Sequence, residues 1–113
     1  MQMLGKVLSG MVQTLHTKKG TFLQKTRLKV LDMGDEVQGD VQFYWIDFLG
    51  DAALSEGELD GVRGHEVSVE VRRASPSLGK DGKAYINMTG GMILDGQGKP
   101  VQSTLAAKAR KSA

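Results

Sequence analysis

The sequence predicts an all-β fold, a small five-stranded antiparallel barrel with at most one short helix and a flexible C-terminal tail. Three observations lead there. Glycine is abundant, at 15 residues, and proline scarce, at 2, which suits tight turns between strands better than a helical bundle. Five segments alternate apolar and polar residues with the period of a strand. The chain of 113 residues, 40% of them hydrophobic, has room for one modest core and no second domain.

The first segment, residues 3–15, mixes Leu4, Val7, Leu8, Met11, Val12 and Leu15 with Gly5 and Gly10, and glycine inside a strand marks a bend or bulge of the kind a small barrel needs. Residues 16–20 form a hairpin loop. In the second segment, residues 21–31, Phe22, Thr26, Leu28 and Val30 share one parity while Lys25, Arg27 and Lys29 share the other, so the three cations project from one surface. Phe22 is expected in the core. Residues 32–40 are an acidic turn, best read as solvated because the spacing of Asp32, Asp35, Glu36 and Asp40 does not match a calcium loop.

The third segment, residues 41–49, holds four of the six aromatics. Phe43 and Trp45 share a face with Asp47, and an unpaired carboxylate is costly to bury, so that face should look outward and leave Ile46 and Phe48 to the core. Residues 50–64 are polar, with room for a short helix. A fourth strand over residues 65–73 points Val67, Val69 and Val71 inward. Residues 74–82 read as a loop ending in an Asp-Gly turn. A fifth strand over residues 83–94 sets Tyr85 with Lys83 and Asn87 on one side, and Ala84, Ile86 and Met88 on the other. The barrel domain is expected over residues 1–95 and a flexible basic tail over 96–113, the alternative for its end being a short helix from about residue 104.

The net charge of +2 hides a segregation. Residues 1–31 carry six bases and no acid, residues 32–70 eleven acids and one base, and residues 71–113 eight bases and two acids. Basic segments flanking an acidic one can form a stripe that suits a polyanion. With no cysteine, thiolate metal sites and disulfides are excluded. His16 and His65 lack metal-ligand neighbours, and no nucleophile elbow, phosphate loop or dinucleotide fingerprint is present. No catalytic residue, metal or cofactor is therefore expected, and the chain reads as a non-enzyme. Without an apolar run of membrane-spanning length or a signal peptide, it is expected to be cytoplasmic with no membrane partner.

Binding to single-stranded nucleic acid requires a positive groove for the phosphates and aromatic faces for the bases. Lys25, Arg27 and Lys29 on the second strand and Phe43 and Trp45 on the third supply both. Tyr85 is a third candidate ring, and Lys18, Lys19, Lys80 and Lys83 lie in loops. Five strands with basic loops after the first and fourth match the OB-fold design, which binds oligonucleotides on that sheet face and those loops.

Residues 43–94 also resemble the second half of the OB domain of the bacterial single-stranded DNA-binding proteins. The resemblance rests on Tyr44-Trp45-Ile46-Asp47-Phe48-Leu49-Gly50, on the valine strand of residues 64–71, on Asp81-Gly82-Lys83, and on Gly90-Gly91-Met92-Ile93-Leu94. The first half lacks the family's opening asparagine and glycine pattern, and the basic ending lacks the acidic tip that recruits replication partners. The chain thus looks more like a phage or plasmid relative, in which case the host cytoplasm is its compartment. The resemblance implies that Phe43, Trp45, Arg72, Arg73, Lys80 and Lys83 face DNA. The expectation is sequence-tolerant binding of single-stranded DNA that protects it during replication or recombination. A lone small OB domain spans few nucleotides, so a homodimer or homotetramer is expected. The alternative is an OB-fold protein–protein adaptor of the primosome-accessory type.

Overall fold

The computed structural model describes residues 2–32 and 43–103. Within them lie five strands, β1 (Gln2–His16), β2 (Phe22–Asp32), β3 (Phe43–Leu49), β4 (Glu66–Leu78) and β5 (Ala84–Leu94), with a 3-10 turn at Gly50–Ala52 and one helix, α1 (Glu56–Val62), between β3 and β4. The strands close into a barrel in the order β1-β2-β3-β5-β4, the OB-fold arrangement. Four seams are antiparallel; the fifth, β3 with β5, is parallel through Ile46–Met88 and Asp47–Thr89, a departure from the all-antiparallel expectation. A closed barrel with an odd number of strands cannot be antiparallel at every seam, so one neighbouring pair has to run in the same direction.

The inward faces are those the alternation implies. Val7, Leu28, Val30, Ile46, Phe48, Val67, Val69 and Ile93 are buried in one cluster, with Leu54, Leu59 and Val62 closing one end from the α1 segment. Glycine is needed where elements approach closely. A Cβ on Gly10 would lie 2.7 Å from a Leu28 methyl and 2.9 Å from Leu59, and one on Gly90 would overlap the Phe48 ring. Buried polar groups are satisfied locally. Thr26 donates its hydroxyl to the Leu54 carbonyl at 3.1 Å and accepts the Leu54 N–H at 2.7 Å, which ties β2 to the approach to α1.

Two differences from the sequence reading have physical causes. Phe22 is not core but 68% exposed at the start of β2, edge-on to His16 at 4.7 Å between ring centroids. Residues 74–78, read as loop, continue β4 and pair with residues 84–88 of β5; among the described residues β5 is the one strand paired with β4 at Pro76, so the N–H that proline lacks can fall on the other side. The described residues include 96–103. Val101 N–H donates to the Ile93 carbonyl at 2.8 Å, and the buried side chain of Gln102 accepts the Ile93 N–H at 2.8 Å and donates to the carbonyls of Ala52 at 3.0 Å and Gly91 at 2.7 Å. Residues 100–102 thus cover the part of β5 that β3 does not reach. The remainder of the expected tail, residues 104–113, and the acidic turn from residue 33 onward lie outside the described residues. Among the described residues no helix is long and apolar enough to cross a membrane.

Candidate nucleic-acid interface

The hairpin register decides which sequence-level candidates meet. β2 pairs with β3 so that Leu31 faces Phe43, Lys29 faces Trp45, Arg27 faces Asp47 and Lys25 faces Leu49. All are on the outer side of the barrel, because Thr26, Leu28, Ile46 and Phe48 of the other parity are buried. The basic triplet and the aromatic pair therefore form one surface. Phe43 is 50% and Trp45 47% exposed, half-open rings next to a closed core. The Lys29 ammonium lies over both, 4.9 Å from the Phe43 centroid and 5.8 Å from that of Trp45, within the range of a cation–π contact.

Next to this trio the charges are paired. Arg27 donates through Nε to Asp47 Oδ1 at 2.8 Å and through Nη2 to Oδ2 at 3.3 Å, a forked contact. The hydrogen bond to Asp47 raises the Arg27 pKa further; burial opposes this and the attraction of the carboxylate adds to it. Lys25 Nζ lies 3.7 Å from the same carboxylate. On the far side of β2, Met11 of β1 stands opposite Arg27 and adds an exposed thioether to the face.

The loop candidates sit on two hairpins that leave the barrel at opposite ends of the β1–β4 seam. β1 and β4 pair from Lys6–Glu66 to Gln2–Glu70, after which β1 runs on to the tip bearing Lys18 and Lys19 and β4 to the tip bearing Lys80 and Lys83. The tips share a construction. Thr17 N–H donates to the Thr21 carbonyl and Gly20 N–H to that of Thr17; Gly79 and Lys83, with Gly82, repeat the pattern. In both, glycine takes the left-handed conformation, with φ of 80° at Gly20 and 79° at Gly82. The lysines are thereby displayed on hydrogen-bonded turns. Phe43 and Trp45 lie at the end of β3 toward the β4–β5 hairpin, as the parallel register of β3 and β5 requires, and Lys25 lies at the end toward β1–β2.

Arg73 is exposed opposite Thr89, at the level of Asp47 across β5. Arg72 is held by Glu70, its Nε donating to Oε1 at 2.7 Å, above Gly91. Tyr85 is placed in β5 opposite Ser77. Sequence reasoning missed the apolar residues of the hairpins, namely Phe22, Leu78 at 78% and Ile86 at 53% exposure. The signal that could have found them is distance from the strand centre, since residues next to a hairpin tip outrun the barrel. Among the described residues there is no cluster of His, Asp or Glu able to hold a metal ion. Comparison of the chain with protein-family models, with curated proteins and with solved structures yields no match.

Proposed function

We propose that this chain binds single-stranded DNA without sequence preference, stacking bases on Trp45 and Phe43 and meeting phosphates with lysines and arginines, and so protects exposed strands during replication or recombination. The observation that carries the reading is the Lys29–Phe43–Trp45 trio. Two half-exposed rings and a cation on one outer sheet face suit a ligand that offers both π-faces and phosphates. The basic hairpin tips extend a positive track from either end of that face.

The test is a pair of measurements on Trp45→Ala. Its affinity for oligo-dT should fall by roughly 1–3 kcal/mol, the cost of one lost stacked base. Its denaturant midpoint should move far less than the roughly 3–5 kcal/mol of a buried Trp→Ala change. Affinity that holds while stability collapses would make the ring structural and defeat the proposal.

Leu78 and Ile86 favour a second reading, a protein-binding adaptor, because base stacking has no use for bare aliphatic side chains on a hairpin. A wild-type chain that fails to bind oligo-dT at low salt would shift the balance to that reading.

A further inference from the structure

Asp47 occupies an unexpected place. On the outer faces of β2 and β3 the other charged residues between Leu23 and Leu49, namely Lys25, Arg27 and Lys29, are cations, and the carboxylate sits among them in the row that contains Trp45. It takes the Arg27 fork with both oxygens and leans toward Lys25 at 3.7 Å. A guanidinium fork is the donor set that suits a phosphate, and here it is already filled from within. The cluster of two cations and one anion presents one net positive charge where the sequence displays two.

Resting on the single-stranded DNA reading, we propose that Asp47 is an internal counter-anion of the binding face, engaging the Nε/Nη2 fork of Arg27 and neutralising part of the charge of Lys25 beside it, so that affinity depends on stacking at Trp45 and Phe43 more than on charge. A phosphate that reaches Arg27 must displace the carboxylate or settle for the guanidinium N–H groups that Asp47 leaves over, and either way it meets a like charge at close range. Phosphate contacts are common to every polyanion, whereas an unstacked base is offered by single strands alone. Restraining the first term keeps duplex DNA and inorganic polyphosphate off a surface that would otherwise hold them. It also lessens the number of counterions released, and with it the sensitivity to salt.

The experiment compares the full wild-type chain with Asp47→Asn, which keeps the shape and an acceptor for Arg27 and removes the charge. Binding of labelled oligo-dT and of a duplex of equal length is followed by anisotropy over a salt series. Asp47→Asn should bind oligo-dT about 3- to 10-fold more tightly at low salt, the gain from deleting one like charge a few ångströms from a phosphate in a water-like dielectric. The slope of log affinity against log salt should steepen by about 0.7, one phosphate's worth. Duplex affinity should rise by at least the same factor. Equal or weaker oligo-dT binding with an unchanged slope overturns the inference and makes Asp47 a support that holds Arg27 in position. If the wild type binds and the variant gains nothing, the inference alone fails; if neither binds oligo-dT at low salt, it fails together with the function it rests on. Asp47 is part of a surface pair, which contributes little to folding, and Asp47→Ser under the same assay replaces Asn should that variant unfold.

Discussion

The barrel and the hairpins that project from it use the same alternation of side chains to opposite ends. In the barrel, Leu28, Val30, Ile46 and Phe48 meet the valines of β4 across a closed interior and lose all contact with water. Toward the hairpin tips, Phe22 of β2 and Ile86 of β5 keep the inward parity of Leu28 and Met88 and stand in solvent. Parity is a property of one strand, whereas burial needs a second layer at the same height. The barrel supplies that layer only where all five strands overlap. The lesson is that an apolar residue of correct parity next to a hairpin tip belongs to the surface a protein offers its partners.

The contrast is sharpest in stability. Phe48→Ala should cost roughly 3–5 kcal/mol, the range for a buried aromatic, whereas Phe22→Ala, the same change at the same parity, should stay within about 0.5 kcal/mol. Urea midpoints of the two variants decide it. A large loss at Phe22 would mean that the hairpin packs against something in solution, such as a second copy of the chain.

This comparison also marks how far the fold was legible. The strand faces could be read because β2, β3 and β4 each alternate cleanly, and the inner residues Leu28, Ile46, Phe48 and Val69 follow directly. The faces bring Lys29 and Trp45 to one surface once β2 and β3 are neighbours. What could not be read depends on offsets between distant strands. That Arg27 stands opposite Asp47, and not one pair further on, is set by the β2–β3 register, and residues 33–42 between them give no tight-turn rule to fix it. The extension of β4 through Pro76 depends on its pairing with residues 84–88 of β5, which local propensity around a proline does not reveal. Gln102 is a polar residue in a glycine- and lysine-rich stretch, and its role appears only when Ala52, Gly91 and Ile93 converge on it.

Gln102 places the barrel–projection boundary at a single side chain, and its removal gives the next largest effect. Gln102→Ala leaves the Ile93 N–H and two carbonyls buried without partners, at a cost of roughly 1–3 kcal/mol. Amide exchange at Ile93 should lose protection, while exchange at the β4–β5 tip stays as it was. Unchanged protection at Ile93 would show that residues 100–102 contribute nothing to the barrel and that the tail begins, after all, near residue 96.

The smallest effect concerns the other contact of this segment with the barrel. Ser55 caps α1 by accepting the Glu58 N–H at 3.2 Å, and Glu58 returns the contact through Oε1, which accepts the Ser55 N–H at 3.0 Å. The second oxygen accepts the Ser103 N–H at 2.8 Å, so one carboxylate joins the helix start to residue 103. Burial pushes the Glu58 pKa up, but the N–H groups of Ser55 and Ser103 outweigh it and the carboxyl is held below its ordinary value of 4.5. A lowered folded-state pKa stabilises wherever the group is ionised, so this contribution is complete above the unfolded value and is lost as pH falls through the folded one. Glu58→Gln keeps a capping side chain and removes the charge together with one of the two acceptor oxygens that Ser55 and Ser103 use. It should lower stability by about 0.3–1 kcal/mol near neutral pH, the usual worth of an anion in the first turn of a helix. The difference from wild type should shrink as pH drops below 4.5, until the two unfold at the same denaturant concentration. A gap that persists undiminished into acid would mean that the shape of the Glu58 side chain, and not its charge, holds residue 103 to the helix.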